Sequence, residues 1–149
     1  MSGIDTYFKI MIESERTAKL FATMIKRYLV RNDIDSNHSQ IYLLHVIKQL
    51  GKAPVGSVHD IMYPVIINGS YNFSALVRNG YLLSIPNNLD KRSCYLSLTP
   101  KGKKLCKDIY DFIENQVKSM EETIDWDQSN SETYLNDLSI LQSFLKRAE

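Results

Sequence analysis

Residues 68–82 read Asn68-Gly69-Ser70-Tyr71-Asn72-Phe73-Ser74-Ala75-Leu76-Val77-Arg78-Asn79-Gly80-Tyr81-Leu82, and residues 90–102 read Asp90-Lys91-Arg92-Ser93-Cys94-Tyr95-Leu96-Ser97-Leu98-Thr99-Pro100-Lys101-Gly102. The first stretch predicts a helix over Gly69–Arg78. Asn68 can cap its start, and Asn79-Gly80 supplies a left-handed stop. Phe73, Leu76 and Val77 are the side expected to grip a core. On a helical wheel the opposite side carries Asn68, Tyr71, Ala75 and Arg78, flanked by Asn72 and Ser74. That side is almost uncharged and rich in hydrogen-bonding groups. A buried helix would not show it, and a merely solvated helix would show Glu and Lys.

The second stretch changes period. Residues 81–85 and Cys94–Leu98 predict two strands; in the latter Cys94, Leu96 and Leu98 alternate with Tyr95 and Ser97. The connection, Pro86-Asn87-Asn88-Leu89-Asp90-Lys91-Arg92-Ser93, is too long for a tight turn, so its tip should project. Lys91 and Arg92 suit phosphates or a minor groove, and Asn87 and Asn88 suit neutral bonds to a nucleic-acid backbone. Asp90 would repel phosphate, so it is expected to aim Arg92. Thr99-Pro100 then opens a helix, with Thr as N-cap and Pro in the first helical position.

Upstream, residues 5–31 predict one long helix with a stripe through Ile4, Phe8, Met11, Ala18, Ala22, Ile25 and Leu29, interrupted by Glu15. A helix of about 27 residues is roughly 40 Å long, more than a small domain needs to cover its own core. The surplus apolar surface wants a partner helix, in the same chain or in a second copy. After a polar break at 33–37, a helix is expected at 39–50 and a short one at 57–62 capped by Ser57. Downstream, helices are expected at 100–124 and 131–146. The fold class is therefore mainly α with a small β-hairpin wing (α+β): a winged helix-turn-helix with long terminal helices.

Composition bounds the function. The 149 residues carry 44% hydrophobic and 23% charged types, an ordinary globular balance. The net charge of +1 is unevenly spread. Residues 81–107 hold six Lys/Arg against one Asp/Glu, and residues 108–149 hold three against ten. A basic segment beside an acidic tail suits a polyanion partner. Lys101, Lys103, Lys104 and Lys107 would add long-range attraction. Two cysteines and three histidines form no metal-ligand spacing, and no phosphate-binding glycine loop occurs. No cofactor and no enzymatic activity are expected. The longest apolar runs fall far short of the ~20 residues that span a bilayer, and residues 1–6 lack a leader pattern, so a cytoplasmic chain without membrane partners is expected. Cys106, near a helix start among lysines, is a candidate redox thiol.

The quoted stretches resemble the MarR family of bacterial transcriptional regulators. The wing signature D-x-R-x-x-x-x-x-L-T-x-x-G is matched at Asp90, Arg92, Leu98, Thr99 and Gly102. The end of the recognition helix, L-x-x-x-G-[LY], is matched at Leu76, Gly80 and Tyr81. The resemblance covers nearly the whole chain. It implies a single domain over 1–149, with a winged helix-turn-helix at 36–99 and dimerisation helices at 1–32 and 105–149. It implies a homodimer on double-stranded DNA, with recognition by Ser70, Tyr71, Asn72 and Ser74 and a wing contact by Arg92 that Asp90 orients. It also implies small aromatic effectors, for which His38, Tyr42 and His45 are the pocket-compatible residues. One departure stands out: many members carry an arginine on the outer side near 71–75, and this chain has none there. A winged-helix module that binds protein is the rival reading.

Overall fold

The computed structural model describes residues 2–90, 93–124 and 127–147. The elements run α1 (Gly3–Arg31), α2 (His38–Leu50), β1 (Ala53–Pro54), α3 (Val55–Met62), α4 (Gly69–Arg78), β2 (Leu82–Pro86), β3 (Cys94–Leu98), α5 (Pro100–Thr123) and α6 (Gln128–Arg147). They form two compact units, residues 1–107 and 108–149.

In the first unit, α1 opens on a reciprocal cap. Asp5 N–H donates to Ser2 Oγ (3.1 Å), and Ser2 N–H donates back to the Asp5 carboxylate (3.1 Å). The helix ends in a left-handed stop at Asp33 (φ 51°), where Ile34 N–H reaches back to the Leu29 carbonyl (2.9 Å). Asn37 caps α2 by accepting from Gln40 N–H (2.9 Å). The core collects Ile25 and Leu29 of α1, Leu43 and Ile47 of α2, Val58 of α3, Leu76 of α4 and Leu96 of β3. Only Ile25 and Leu29 of the 29-residue α1 are buried; Ile4, Phe8 and Ala18 of its stripe are exposed, and Met11 and Ala22 are half-buried.

Three strands form an antiparallel sheet in the order β1-β3-β2. Ala53 pairs with Leu96, and Leu82 pairs with Leu98. The first of these strands was not expected. Two residues carry no alternation, and the pairing exists only because β3 passes alongside. The short third helix begins at Val55, with Pro54 before it and no side-chain cap, so Ser57 lies inside the helix. Tyr81, expected in a strand, belongs to the helix stop instead. Gly80 takes φ 79°, Tyr81 N–H bonds the Leu76 carbonyl (2.9 Å), and Gly80 N–H bonds that of Val77 (3.0 Å).

The end of α4 is tied to the start of α5. Thr99 N–H donates to the Tyr81 carbonyl (3.1 Å), and the Thr99 hydroxyl donates to that of Gly80. Gly102 N–H in turn donates to Thr99 Oγ1 (3.0 Å), the expected N-cap. A Cβ on Gly102 would be driven into the Tyr81 carbonyl oxygen and would crowd the Leu98 side chain at 3.3 Å. The glycine of the wing signature is thus a packing requirement. Gly102→Ala is expected to cost about 1–3 kcal/mol for the displaced backbone, offset by up to about 1 kcal/mol of helix propensity. Chemical denaturation should show a net loss; unchanged stability would mean that Tyr81 yields freely.

The second unit contains the remainder of α5 and α6. Asp127 accepts from Ser129 N–H (2.9 Å) and Oγ (2.7 Å) just before α6, which holds its carboxyl below the usual range. No residue of α6 is buried, and Leu135, Ile140 and Phe144 are all exposed.

Candidate nucleic-acid interface

The orientation of α4 decides which side chains can meet a partner. Gly69, Asn72, Phe73, Ala75 and Leu76 are buried, while Ser70, Tyr71, Ser74, Val77 and Arg78 are exposed. The helix is therefore rotated from the expectation. Ala75 and Asn72 face inward, and Val77 is 38% exposed.

Asn72 is a correction to the expected reading face, with a clear cause. The Gln40 amide of α2 donates to Asn72 Oδ1 (3.3 Å), and Asn72 Nδ2 donates to the Asn68 carbonyl (3.2 Å). Ser36 Oγ donates to Gln40 Oε1 (2.9 Å), completing a chain from the loop before α2 to the turn before α4. A buried amide is tolerated when its groups are paired, and here they are. Asn72 is thus a positioning residue that fixes the pitch of α4. Asn68 offers its backbone carbonyl to Asn72, and its side chain makes no capping bond, contrary to expectation. An Asn72→Leu change leaves the Gln40 amide without its interior acceptor. Unfolding in urea should show a loss of about 1–3 kcal/mol, the cost of an unsatisfied buried polar group.

The wing tip is braced from within. Asn87 Oδ1 accepts from Leu89 N–H (3.0 Å), and Asn87 Nδ2 donates to Ser93 Oγ (3.1 Å). Its backbone N–H donates to the Ser93 carbonyl (3.2 Å), and Ser93 N–H donates to that of Asp90 (3.1 Å). Asn87 is therefore spent on loop construction, which corrects its expected role at the surface of a partner. Asn88 and Asp90 are exposed. Lys91 and Arg92 lie outside the described residues, and with them the pairing expected of Asp90.

Lys101 also departs from the expected solvated cluster. Its ammonium donates to the Asn79 carbonyl (2.7 Å) and lies 4.6 Å from the centre of the Tyr81 ring. Asn79 Nδ2 donates to the Asp35 carbonyl (3.2 Å), tying the end of α4 to the loop before α2. These links were invisible in the sequence; the one usable signal was the adjacency of Asn79-Gly80-Tyr81 and Thr99-Pro100-Lys101 across a hairpin.

An open groove runs beside the outward edge of α4, lined by Ser70, Ser74, Arg78, Phe73, Val55 and Cys94, among others. Cys94 is half-buried there. Cys106 is buried at 3% exposure, and burial pushes its thiol up, with Lys48 opposing weakly. It sits on the inner side of α5, where desolvation outweighs the charge of Lys48. This overturns the expectation of a lowered thiol. His38 and Tyr42 meet edge to face at 5.7 Å between ring centres, and Phe21 of α1 stacks on Tyr42 at 6.2 Å. Burial raises the Tyr42 hydroxyl, whereas His45 is exposed.

Residues 37–102 match the family model described as a winged helix DNA-binding domain. The exopolysaccharide II synthesis transcriptional activator ExpG of Rhizobium meliloti is 27% identical over 138 residues, spanning 92% of this chain and 70% of that protein. AbfR of Staphylococcus epidermidis is similar in structure, with a TM-score of 0.79, 14% identity, and coverage of 97% of this chain and 95% of that one. A mutant MarR from E. coli complexed with operator DNA gives a TM-score of 0.67 at 16% identity, covering 99% of both chains. The chain shares the winged helix-turn-helix fold of these structures, and residues 37–102 are the part that matches the winged helix DNA-binding domain model.

Proposed function

We propose that the chain is a cytoplasmic, homodimeric, sequence-specific DNA-binding transcriptional regulator that needs no cofactor. The observation that carries this reading is the outward side of α4, where Ser70, Tyr71, Ser74 and Arg78 stand exposed on a helix locked from behind. Hydroxyl groups and a guanidinium can bond base edges and phosphates, and Arg78 supplies charge at the far end. Asn68, Asn88 and the wing residues Lys91 and Arg92 would flank that contact. MarR and AbfR have been solved with DNA bound, which supports the same partner here.

The dimer is supported by the exposed apolar residues of the terminal helices, Ile4, Phe8 and Leu20 on α1 and Leu135 and Phe144 on α6. Each of these helices leaves large apolar side chains in water, which suits burial against a second copy. A small aromatic effector would find ring partners at His38, Tyr42 and Phe21, and it would be allosteric only through unequal affinity for two dimer arrangements. Among the described residues, no helix is long and apolar enough to cross a membrane.

A mobility-shift titration against duplexes enriched from random DNA, at two salt concentrations, tests the reading. The expected outcome is a salt-weakened shift of a near-palindrome with half-sites about one helical turn, roughly 34–36 Å, apart. Enrichment of no duplex would move the domain to the protein-binding class.

A further inference from the structure

From Ile61 to Val77 the chain carries no Asp, Glu, Lys, Arg or His, a run of seventeen residues that includes most of α4. The run is nonetheless not interior. Met62 and Ile66 are buried, but Val65 and Tyr63 are exposed, Ile67 is 74% exposed and Tyr71 is 65% exposed. Tyr63 has a neighbour in the His59 ring, stacked at 5.9 Å between centres. Ile67 stands two residues before α4, and Tyr71 stands on the first turn of its outward side, with Ser70 and Ser74 exposed on the same helix. The leading end of the recognition helix is thus an apolar edge joined to a hydroxyl-bearing face.

A helix end that enters a major groove meets three kinds of surface: acceptors, donors and the C5-methyl of thymine. An arginine on the helix would select guanine through its two acceptors, and this face has none before Arg78. An aliphatic side chain and a tyrosine ring gain from the methyl and lose by stripping water from unpaired polar edges.

We propose that Ile67 and Tyr71 form a methyl-reading edge, so that each half-site is distinguished by thymine at the position facing the start of α4. This rests on the DNA-binding reading above and adds the chemistry of its specificity. The alternative occupant, an apolar patch on a partner protein, would leave duplex binding indifferent to both residues.

The probe is the duplex enriched from random DNA by the full-length protein, remade with deoxyuridine replacing one thymine at a time. Deoxyuridine keeps every hydrogen-bonding group and removes only the methyl. At one or two positions per half-site, affinity should fall about fourfold, the worth of one buried methyl-sized group. Ile67→Ala or Tyr71→Ala should bind the thymine duplex more weakly and lose the preference over deoxyuridine at that position. Both substitutions lie on exposed side chains, and an unchanged melting temperature confirms that the fold is intact. If every deoxyuridine duplex binds within twofold of its parent, or if the variants keep the full methyl preference, the methyl-reading edge is refuted while DNA binding stands. If no duplex is enriched at all, both readings fall together.

Discussion

A Ser74→Glu protein should lose about a hundredfold or more in affinity for the enriched duplex, because a carboxylate set against phosphates pays repulsion and desolvation worth several kcal/mol. Its melting temperature should stay where it is. Ser74 is exposed in the middle of α4. A glutamate there meets no core group, and surface changes of this kind stay within about 0.5 kcal/mol. The pairing of a large binding effect with a null stability effect is the diagnostic. Measurement by fluorescence anisotropy beside a thermal melt provides both numbers. Retained affinity would show that α4 is not the element that meets the duplex.

Leu76→Ala is expected to be the most damaging single change to the fold. The side chain is fully buried at 0% exposure, and truncating such a leucine costs about 2–5 kcal/mol through lost transfer energy and the cavity left behind. In a domain of this size the midpoint should fall by roughly 4–20 °C. Val77→Ala, one residue on, should cost less, about 1 kcal/mol, because Val77 is 38% exposed where Leu76 is wholly covered, and fewer carbon atoms are removed. The contrast tests the rotation of α4 directly. Equal losses at the two positions would mean that the helix sits as its apolar residues alone suggest, with Val77 inward and Asn72 outward.

That rotation marks where the sequence could be read and where it could not. The bounds of α4 and β3, the glycine stop at Gly80 and the Thr99 cap were all legible, because each depends on local conformation. The wheel orientation was not. Val77 is apolar and Asn72 is polar, so pattern alone sent the first inward and the second outward. The reverse holds because Gln40, thirty-two positions away, offers Asn72 an interior partner. Amide pairing across that separation leaves no periodic trace. The same applies to Cys106, whose lysine-rich neighbours in sequence suggested a lowered thiol and whose burial pushes it up instead. At the wing, the projecting loop was legible from its length. The internal use of Asn87 was not, since an asparagine that braces a turn and one that bonds a partner look alike in sequence.

The stitching between Asn79–Tyr81 and Thr99–Gly102 has a mechanical consequence. Three donors from the start of α5 hold three successive carbonyls at the end of α4, and a bare glycine lets them close. The two segments behave as the elbow of a single lever. A shift of the first turn of α5 would therefore pull on the last turn of α4 through three bonds at once.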